Sequence, residues 1–318
     1  MQLVRHTIMN RQLTRRMFLA SAAVGTASLA ISNAAGAEED EHPWIDAHSH
    51  IWTRDVEHFP LAKGSTVDDL APPSFTAEEL LKVAHRENVG KVVLIQHHRY
   101  YGWDNSYLCD AAKRYPKAFR VVGMVDNFSD SPGKQLRELL KQRVTGFRIT
   151  PRIYKEKWLG GDMDEMWKTA ADTRQNICCL INPEDLAAID KMCVRHPDTP
   201  VVIDHFARIG VDGQFRKADL DALCQLARHK HVTVKISAYY ALGKKKPPYL
   251  DLVPMIRQVL DAFGVERCMW ASDSPYQIDG ENTYSASIEL IRDRIDFLSA
   301  GDRQALLQTT AQRVFFFA

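Results

Sequence analysis

Trp44-Ile45-Asp46-Ala47-His48-Ser49-His50 reads as a short buried strand that ends in polar side chains, and the rest of the chain is organised around it. Along an extended strand alternate side chains share a face, so Asp46, His48 and His50 are expected on one side, with two imidazoles one residue pair apart. Two neutral imidazoles at that spacing suit Zn²⁺ or a similar divalent ion. They can equally orient a water through hydrogen bonds alone.

Seven further runs of the same kind follow, each separated from the next by a helical pattern: Lys91 to Gln96, Phe119 to Asp126, Arg143 to Thr150, Asn176 to Asn182, Pro200 to His205, His231 to Ser237 and Glu266 to Asp273. They are short, apolar and rich in Val and Ile, as strands buried on both faces must be. Start signals mark the helices between them. Thr76-x-x-Glu79 and Asp162-x-x-Glu165 read as capping boxes, Ser131-Pro132 and Asn182-Pro183 place proline at the first helical position, and Gly90 stands where the helix before the second strand should stop. Eight strand and helix units with no Pro, Gly or Ser linker between them predict an α/β protein, a single-domain (β/α)8 TIM barrel.

The N-terminus reads separately. Thr14-Arg15-Arg16-Met17-Phe18-Leu19, an apolar run to Ile31, and the small-x-small site Ala35-Gly36-Ala37 resemble a twin-arginine signal peptide. The apolar run of 14 residues from Phe18 falls short of the roughly 20 residues that a membrane span needs. The expectation is therefore a signal peptide over 1–37, export through the twin-arginine machinery, a periplasmic mature protein over 38–318, and no membrane span in it. Cleavage there removes four of the 41 basic residues and none of the 40 acidic ones, leaving a formal charge of −3 over 281 residues. Nothing in that balance invites nucleic acid. The composition, 45% hydrophobic and 25% charged, is that of a folded globular chain. Cys109, Cys178, Cys179, Cys193, Cys224 and Cys268 lack paired zinc-ribbon spacing, and neighbours Cys178 and Cys179 point to opposite faces if extended, so they read as structural thiols.

In a barrel of this kind catalytic groups gather at the C-terminal strand ends. That rule collects His48 and His50 from the first strand, Gln96, His97 and His98 from the second, and Arg148 from the fourth. It adds Asn182, then Asp204, His205 and Arg208, then Lys235 with Tyr239 and Tyr240 beyond it, and finally Asp273. Consecutive His97 and His98 cannot both face a pocket from a strand, which makes Gln96 the better substrate contact there. Tyr239, Tyr240, Trp52 and Trp103 are candidates for pocket walls.

Together these motifs resemble the amidohydrolase-related (amidohydrolase 2) family. They are Asp46-Ala47-His48-Ser49-His50, Asp204-His205 with Arg208, Val234-Lys235-Ile236-Ser237, and Trp270-Ala271-Ser272-Asp273-Ser274-Pro275. Asp104-Asn105-Ser106-Tyr107-Leu108 and Asn182-Pro183-Glu184-Asp185-Leu186 are similar to its branch of lactone hydrolases, the fuconolactonase-like and pyrone-dicarboxylate lactonase-like enzymes, and the likeness runs over 42–318. The resemblance implies a centre of His48, His50, His205 and Asp273, with Asp273 taking a proton from the attacking water. A carboxylate flanked by imidazoles, or by a cation they hold, can do this, and His205 can hydrogen-bond a carbonyl oxygen as negative charge develops on it. Arg148 and Arg208 suit a substrate carboxylate because a guanidinium fork grips it at two points. Gln96 and Tyr239 complete the expected substrate contacts.

One departure bears on the metal. Members that hold an ion firmly supply a further histidine from the fifth strand, where this chain has Ile181-Asn182-Pro183. The remaining cage is His48, His50 and Asp273, with His205 as a candidate fourth ligand, and three or four ligands can hold Zn²⁺ with an open position, while some relatives work without metal. The expected function is a hydrolase that opens a small, acidic lactone, with or without a metal. The alternatives are a nonoxidative decarboxylase of an aromatic or unsaturated acid, and a catalytically silent periplasmic binding protein.

Overall fold

The computed structural model describes residues 42–317, so the twin-arginine segment lies outside the described residues. Eight strands form one parallel sheet in sequence order: β1 (Trp44–Ser49), β2 (Val89–Ile95), β3 (Phe119–Gly123), β4 (Val144–Ile149), β5 (Asn176–Cys179), β6 (Val201–Ile203), β7 (Val232–Ser237) and β8 (Cys268–Ala271). The seam between β8 and β1 is made at their C-terminal ends. There the Asp273 amide donates to the His48 carbonyl at 2.8 Å and the His50 amide to the Ser274 carbonyl at 2.7 Å. The helices Ala77–His85, Ser106–Arg114, Pro132–Leu140, Met163–Thr173, Leu186–Arg195, Lys217–Gln225, Val253–Phe263 and Tyr284–Glu289 follow the strands in turn, completing the (β/α)8 barrel.

Alternation along each strand divides the core in two. Val92, Leu94, Val121, Phe147, Ile177, Cys179, Ile203, Val234, Ile236 and Trp270 pack outward with the helices, and Ile45, Ala47, Val93, Ile95, Val122, Cys178, Val202 and Met269 fill the barrel. Cys178 and Cys179 thus fall on opposite faces, as their adjacency requires, and all six cysteines are free thiols. A fully buried Val, Ile or Leu contributes about 1.5–3 kcal/mol, so the two-sided burial of these strands is the main source of stability. The helix Thr310–Phe315 closes the floor, with Ala311, Val314 and Phe315 against the inner cluster and the Val314 carbonyl accepting from Asn176 Nδ2 at 2.9 Å.

Three local expectations change. Thr76 and Glu79 form the predicted capping box, but Asp162 at the head of Met163–Thr173 makes no side-chain cap. Gly90 does not end a helix: Ala77–His85 has already stopped, and Gly90 lies inside β2, where a Cβ would come within 2.5 Å of the His42 carbonyl oxygen. The sixth strand stops at Ile203 instead of His205, because His205, Phe206, Ala207 and Arg208 all adopt left-handed backbone with φ between 52° and 59°. Each such non-glycine residue costs on the order of 1 kcal/mol, offset by the complete burial of Phe206 and Ala207.

Candidate active site

The first strand does not hold Asp46 on the face of its histidines. Asp46 pairs with Val92 but Ser49 with Leu94, so β1 carries one residue more than β2 over that interval. A bulge of this kind moves side chains across the sheet. Ile45 and Ala47 point into the barrel, Asp46 and Ser49 turn out together, and His48 and His50 face the interior. The Asp46 carboxylate is completely buried and takes five hydrogen bonds, from the His48 amide, Ser49 Oγ, both the amide and hydroxyl of Ser272, and Tyr284 Oη. It binds β1 to the segment that carries Asp273.

Asp273 lies inside a ring of imidazoles. Its Oδ1 is 3.4 Å from His48 Nε2 and 3.4 Å from His50 Nε2, its Oδ2 is 3.8 Å from His205 Nε2, and Oδ2 accepts from Tyr240 Oη at 2.8 Å. The backbone of Asp273 is itself left-handed, φ 63°, which turns the carboxylate inward at the strand end. Burial opposes ionisation here, but His205 and the Tyr240 hydroxyl, both facing Oδ2, favour the carboxylate, and the carboxyl is held well below the usual range. His50 Nδ1 lies 2.9 Å from the Ile95 carbonyl, an acceptor only, so that nitrogen carries the proton and Nε2 keeps its lone pair. His205 is oriented by Ser237 Oγ, 2.8 Å from Nδ1.

Behind this ring is a buried charge cluster that the rim list contained only in pieces. Lys235 and Asp204 are both fully buried, with Nζ 3.1 Å from Asp204 Oδ1. Arg148 Nη2 lies 3.2 Å from Asp204 Oδ2 and donates to His48 Nε2 at 2.7 Å. Burial pushes Asp204 up, yet Lys235, His48 and Arg148 overcome it and hold the carboxyl well below its ordinary value. Burial first, then Lys235 and His205, keep His48 neutral. Two obligate donors flank His48, Arg148 Nη2 at 2.7 Å from Nε2 and Lys235 Nζ at 3.2 Å from Nδ1, and a neutral imidazole accepts at only one nitrogen; the shorter contact places the lone pair on Nε2 and the proton on Nδ1, which also faces Asp204 Oδ1 at 3.5 Å. Only the separate motifs on β6 and β7 hinted at this pair, since two chain-distant residues reveal their contact only once folded.

The ring opens into a cavity of about 530 Å³. His50, His205, Asp273, Gln96, Arg148 and Arg208 all line it, as expected from the strand-end rule. Gln96 is there in a supporting part: its Nε2 hydrogens go to the Gly102 and Asp104 carbonyls at 2.7 and 2.8 Å, fixing the loop after β2. Arg208 donates to Asn182 Oδ1 at 3.0 Å. Tyr239 is a correction. It is completely buried, its hydroxyl donates to the Ile236 carbonyl at 2.7 Å, and its neighbour Tyr240 lines the cavity, because left-handed Ala238 ends the strand and shifts which side chain turns inward. His97 and His98 both line the cavity, contrary to the alternation argument, since the chain turns helical over His98–Tyr101 and leaves the strand geometry. His97 Nε2 pairs with Tyr276 Oη, and Tyr276 also lines the cavity. Trp52 is buried under His97, and Trp103 stacks on Tyr154.

The spacing of His48, His50 and Asp273 suits a metal. Edges of 3.4 Å match the roughly 3.3 Å between ligands of a tetrahedral ion with bonds near 2.05 Å. The lone pair on His48 Nε2 is nevertheless taken by Arg148, and one lone pair cannot serve both a guanidinium hydrogen and an ion. As arranged, the trio has the spacing of a metal site and a guanidinium standing on one of its three ligands, so the residues do not accommodate the ion without Arg148 moving.

A parallel barrel with paired histidines at the end of β1 and an aspartate after β8 is the plan of a barrel hydrolase. The chain belongs to the amidohydrolase family, whose model matches residues 45–317. It is similar to the L-fucono-1,5-lactonase of Burkholderia ambifaria, at 28% identity over 73% of this chain and 80% of that one. It is also similar to the 4-sulfomuconolactone hydrolase of Rhizobium radiobacter, at 25% identity over 73% of this chain and 75% of that one. An amidohydrolase of Burkholderia multivorans with bound zinc has the same fold, with a TM-score of 0.72 and 22% identity over 87% of this chain and all of that one.

Proposed function

We propose that the protein is a lactone hydrolase in which Asp273 activates water against the ring carbonyl. The observation that carries this is the Asp273 carboxylate, ionised and enclosed by His48, His50 and His205 at the mouth of a cavity. A water near Oδ1 gives one hydrogen to Asp273 and has the free lone pair of His50 Nε2 for the other. His205 donates from Nε2 to the carbonyl oxygen, provided Ser237 donates to its Nδ1, and Arg148 adds fixed positive charge nearby. Similarity to two relatives named for lactone hydrolysis supports this reading over decarboxylation or silent binding.

The substrate is acidic on this reading. Four guanidinium groups line the cavity, on Arg99, Arg148, Arg152 and Arg208, against the single carboxylate of Asp273. An anionic ligand supplies the missing countercharge, and a guanidinium fork is the side chain that best holds a carboxylate. The water-activating step needs no metal in this arrangement. The twin-arginine motif supports export to the periplasm, and among the described residues no helix is long and apolar enough to cross a membrane.

The test is a panel of lactones read by proton release on ring opening, with carbon dioxide release measured in parallel on unsaturated and aromatic acids. Ring opening is expected, and Asp273→Asn should lower it by about 10²-fold or more. Carbon dioxide release without ring opening, or an Asp273→Asn protein as active as the parent, would overturn the assignment.

A further inference from the structure

We propose that Tyr240 is the proton donor to the ring oxygen that departs when the lactone opens, an inference that rests on the lactone-hydrolase reading above. Opening the ring leaves an oxygen that must acquire a proton, while the proton taken from water has been left on Asp273. A group touching both Asp273 and the cavity can connect the two. Tyr240 lines the cavity, and its hydroxyl is 2.8 Å from Asp273 Oδ2.

The neighbouring groups are engaged elsewhere. His50 has its hydrogen on the Ile95 carbonyl, His48 is held between Arg148 and Asp204, and His205 is oriented by Ser237 for the carbonyl. Tyr276 is paired with His97. Burial and then the Asp273 charge push the Tyr240 hydroxyl well above its ordinary value, and the second of these causes disappears once Asp273 has taken the water proton. The Tyr240 hydroxyl points its hydrogen at the carboxylate that becomes protonated, so it is the side chain placed to exchange one proton for another.

The atoms balance as follows. Water oxygen bonds to the carbonyl carbon as one water proton passes to Asp273. The bond from that carbon to the ring oxygen then breaks, its electron pair stays on the ring oxygen, and that oxygen takes the Tyr240 proton. The Asp273 carboxyl then turns to bring the proton it took at Oδ1 toward Tyr240 Oη and returns it there, restoring both groups, and the new acid gives its own proton to solvent. An enol or phenol oxygen leaves readily without this help, whereas an alkoxide does not. The arrangement therefore fits a saturated lactone, whose departing oxygen is an ordinary alcohol.

The test compares Tyr240→Phe with the parent on two six-membered lactones, L-fucono-1,5-lactone, which releases an alcohol, and dihydrocoumarin, which releases a phenol. The expected result is a loss of about 10²-fold in kcat on the first and less than about threefold on the second. Equal losses on both probes would show that Tyr240 only positions Asp273, and no loss on either would show that it does neither. A parent protein that opens neither probe nor any other lactone removes the lactone reading itself, and this role with it. One that opens other lactones is tested on an alcohol-releasing and a phenol- or enol-releasing pair among them. Should Tyr240→Phe fail to fold, 3-fluorotyrosine at 240 carries the comparison: its more acidic hydroxyl must alter kcat on the alcohol-releasing lactone and leave the other unmoved.

Discussion

Asp46 and Ser272, 226 residues apart, are joined twice, the buried carboxylate accepting both the amide and the hydroxyl of Ser272. Because Asp273 is the next residue, the same pair of bonds that seals β1 against β8 also sets the direction of the proposed base. Asp46→Ala strands the buried hydrogens of Ser49, Ser272 and Tyr284 at once. The expected loss, on the order of 3 kcal/mol or more, is measurable as a lower urea midpoint.

Lys235→Met should be as costly by a different route. It leaves Asp204, completely buried, with Arg148 as its one remaining full cation, and breaking a buried pair from one side typically costs about 3–5 kcal/mol. Replacing both partners, Lys235→Met with Asp204→Leu, should recover part of that stability while leaving activity low, since His48 then loses its Nδ1 partner. Paired denaturation and turnover measurements check both halves.

Arg148 governs whether zinc can bind. Removing it in Arg148→Ala frees the His48 Nε2 lone pair, and the variant should take up about one equivalent of zinc where the parent takes up far less. Metal analysis after dialysis against zinc reads this directly. The parent should keep its activity after treatment with a chelator.

Arg208→Gln separates substrate charge from chemistry. Its guanidinium lines the cavity and donates to Asn182 rather than to a carboxylate. For an anionic lactone the variant should raise KM about tenfold with kcat little changed, the cost of one charge-assisted contact, and for a neutral lactone it should do almost nothing.

His97 makes stability depend on pH in a defined window. Burial, then neighbouring His50, Arg148 and Arg99, push its pKa down to about 2 from an ordinary value near 6.5. Between those values the unfolded chain binds a proton that the folded one refuses. This contribution is therefore complete above about pH 6.5 and is lost as pH falls through the window, at about 1.4 kcal/mol per pH unit. Replacing it, as in His97→Phe, should flatten the acid limb of a plot of stability against pH by that slope.

Strand order and the four groups His48, His50, His205 and Asp273 were legible in the chain, because doubly buried strands write an apolar run into sequence and the barrel sends their ends to one rim. What escaped is what strict alternation hides. The extra residue in β1 moves Asp46 to the outer face, the left-handed turn at His205–Arg208 shortens β6, and left-handed Ala238 exchanges Tyr240 for Tyr239. Each involves a single backbone departure that no periodicity records. The partnership of Lys235 with Asp204 escaped for another reason, since it depends on which inward positions of neighbouring strands stand at the same height.

Phe315 lies beneath the Lys235 ammonium, 5.2 Å from Nζ to the ring centre. The reactive end of the barrel thus stands on a column, Lys235 then Asp204 and His48, whose base is supplied by the helix Thr310–Phe315. A nascent chain already bearing every imidazole and carboxylate of the rim still lacks that footing. Maturation of the centre must therefore await synthesis of the segment beyond Asp273 as far as Phe315.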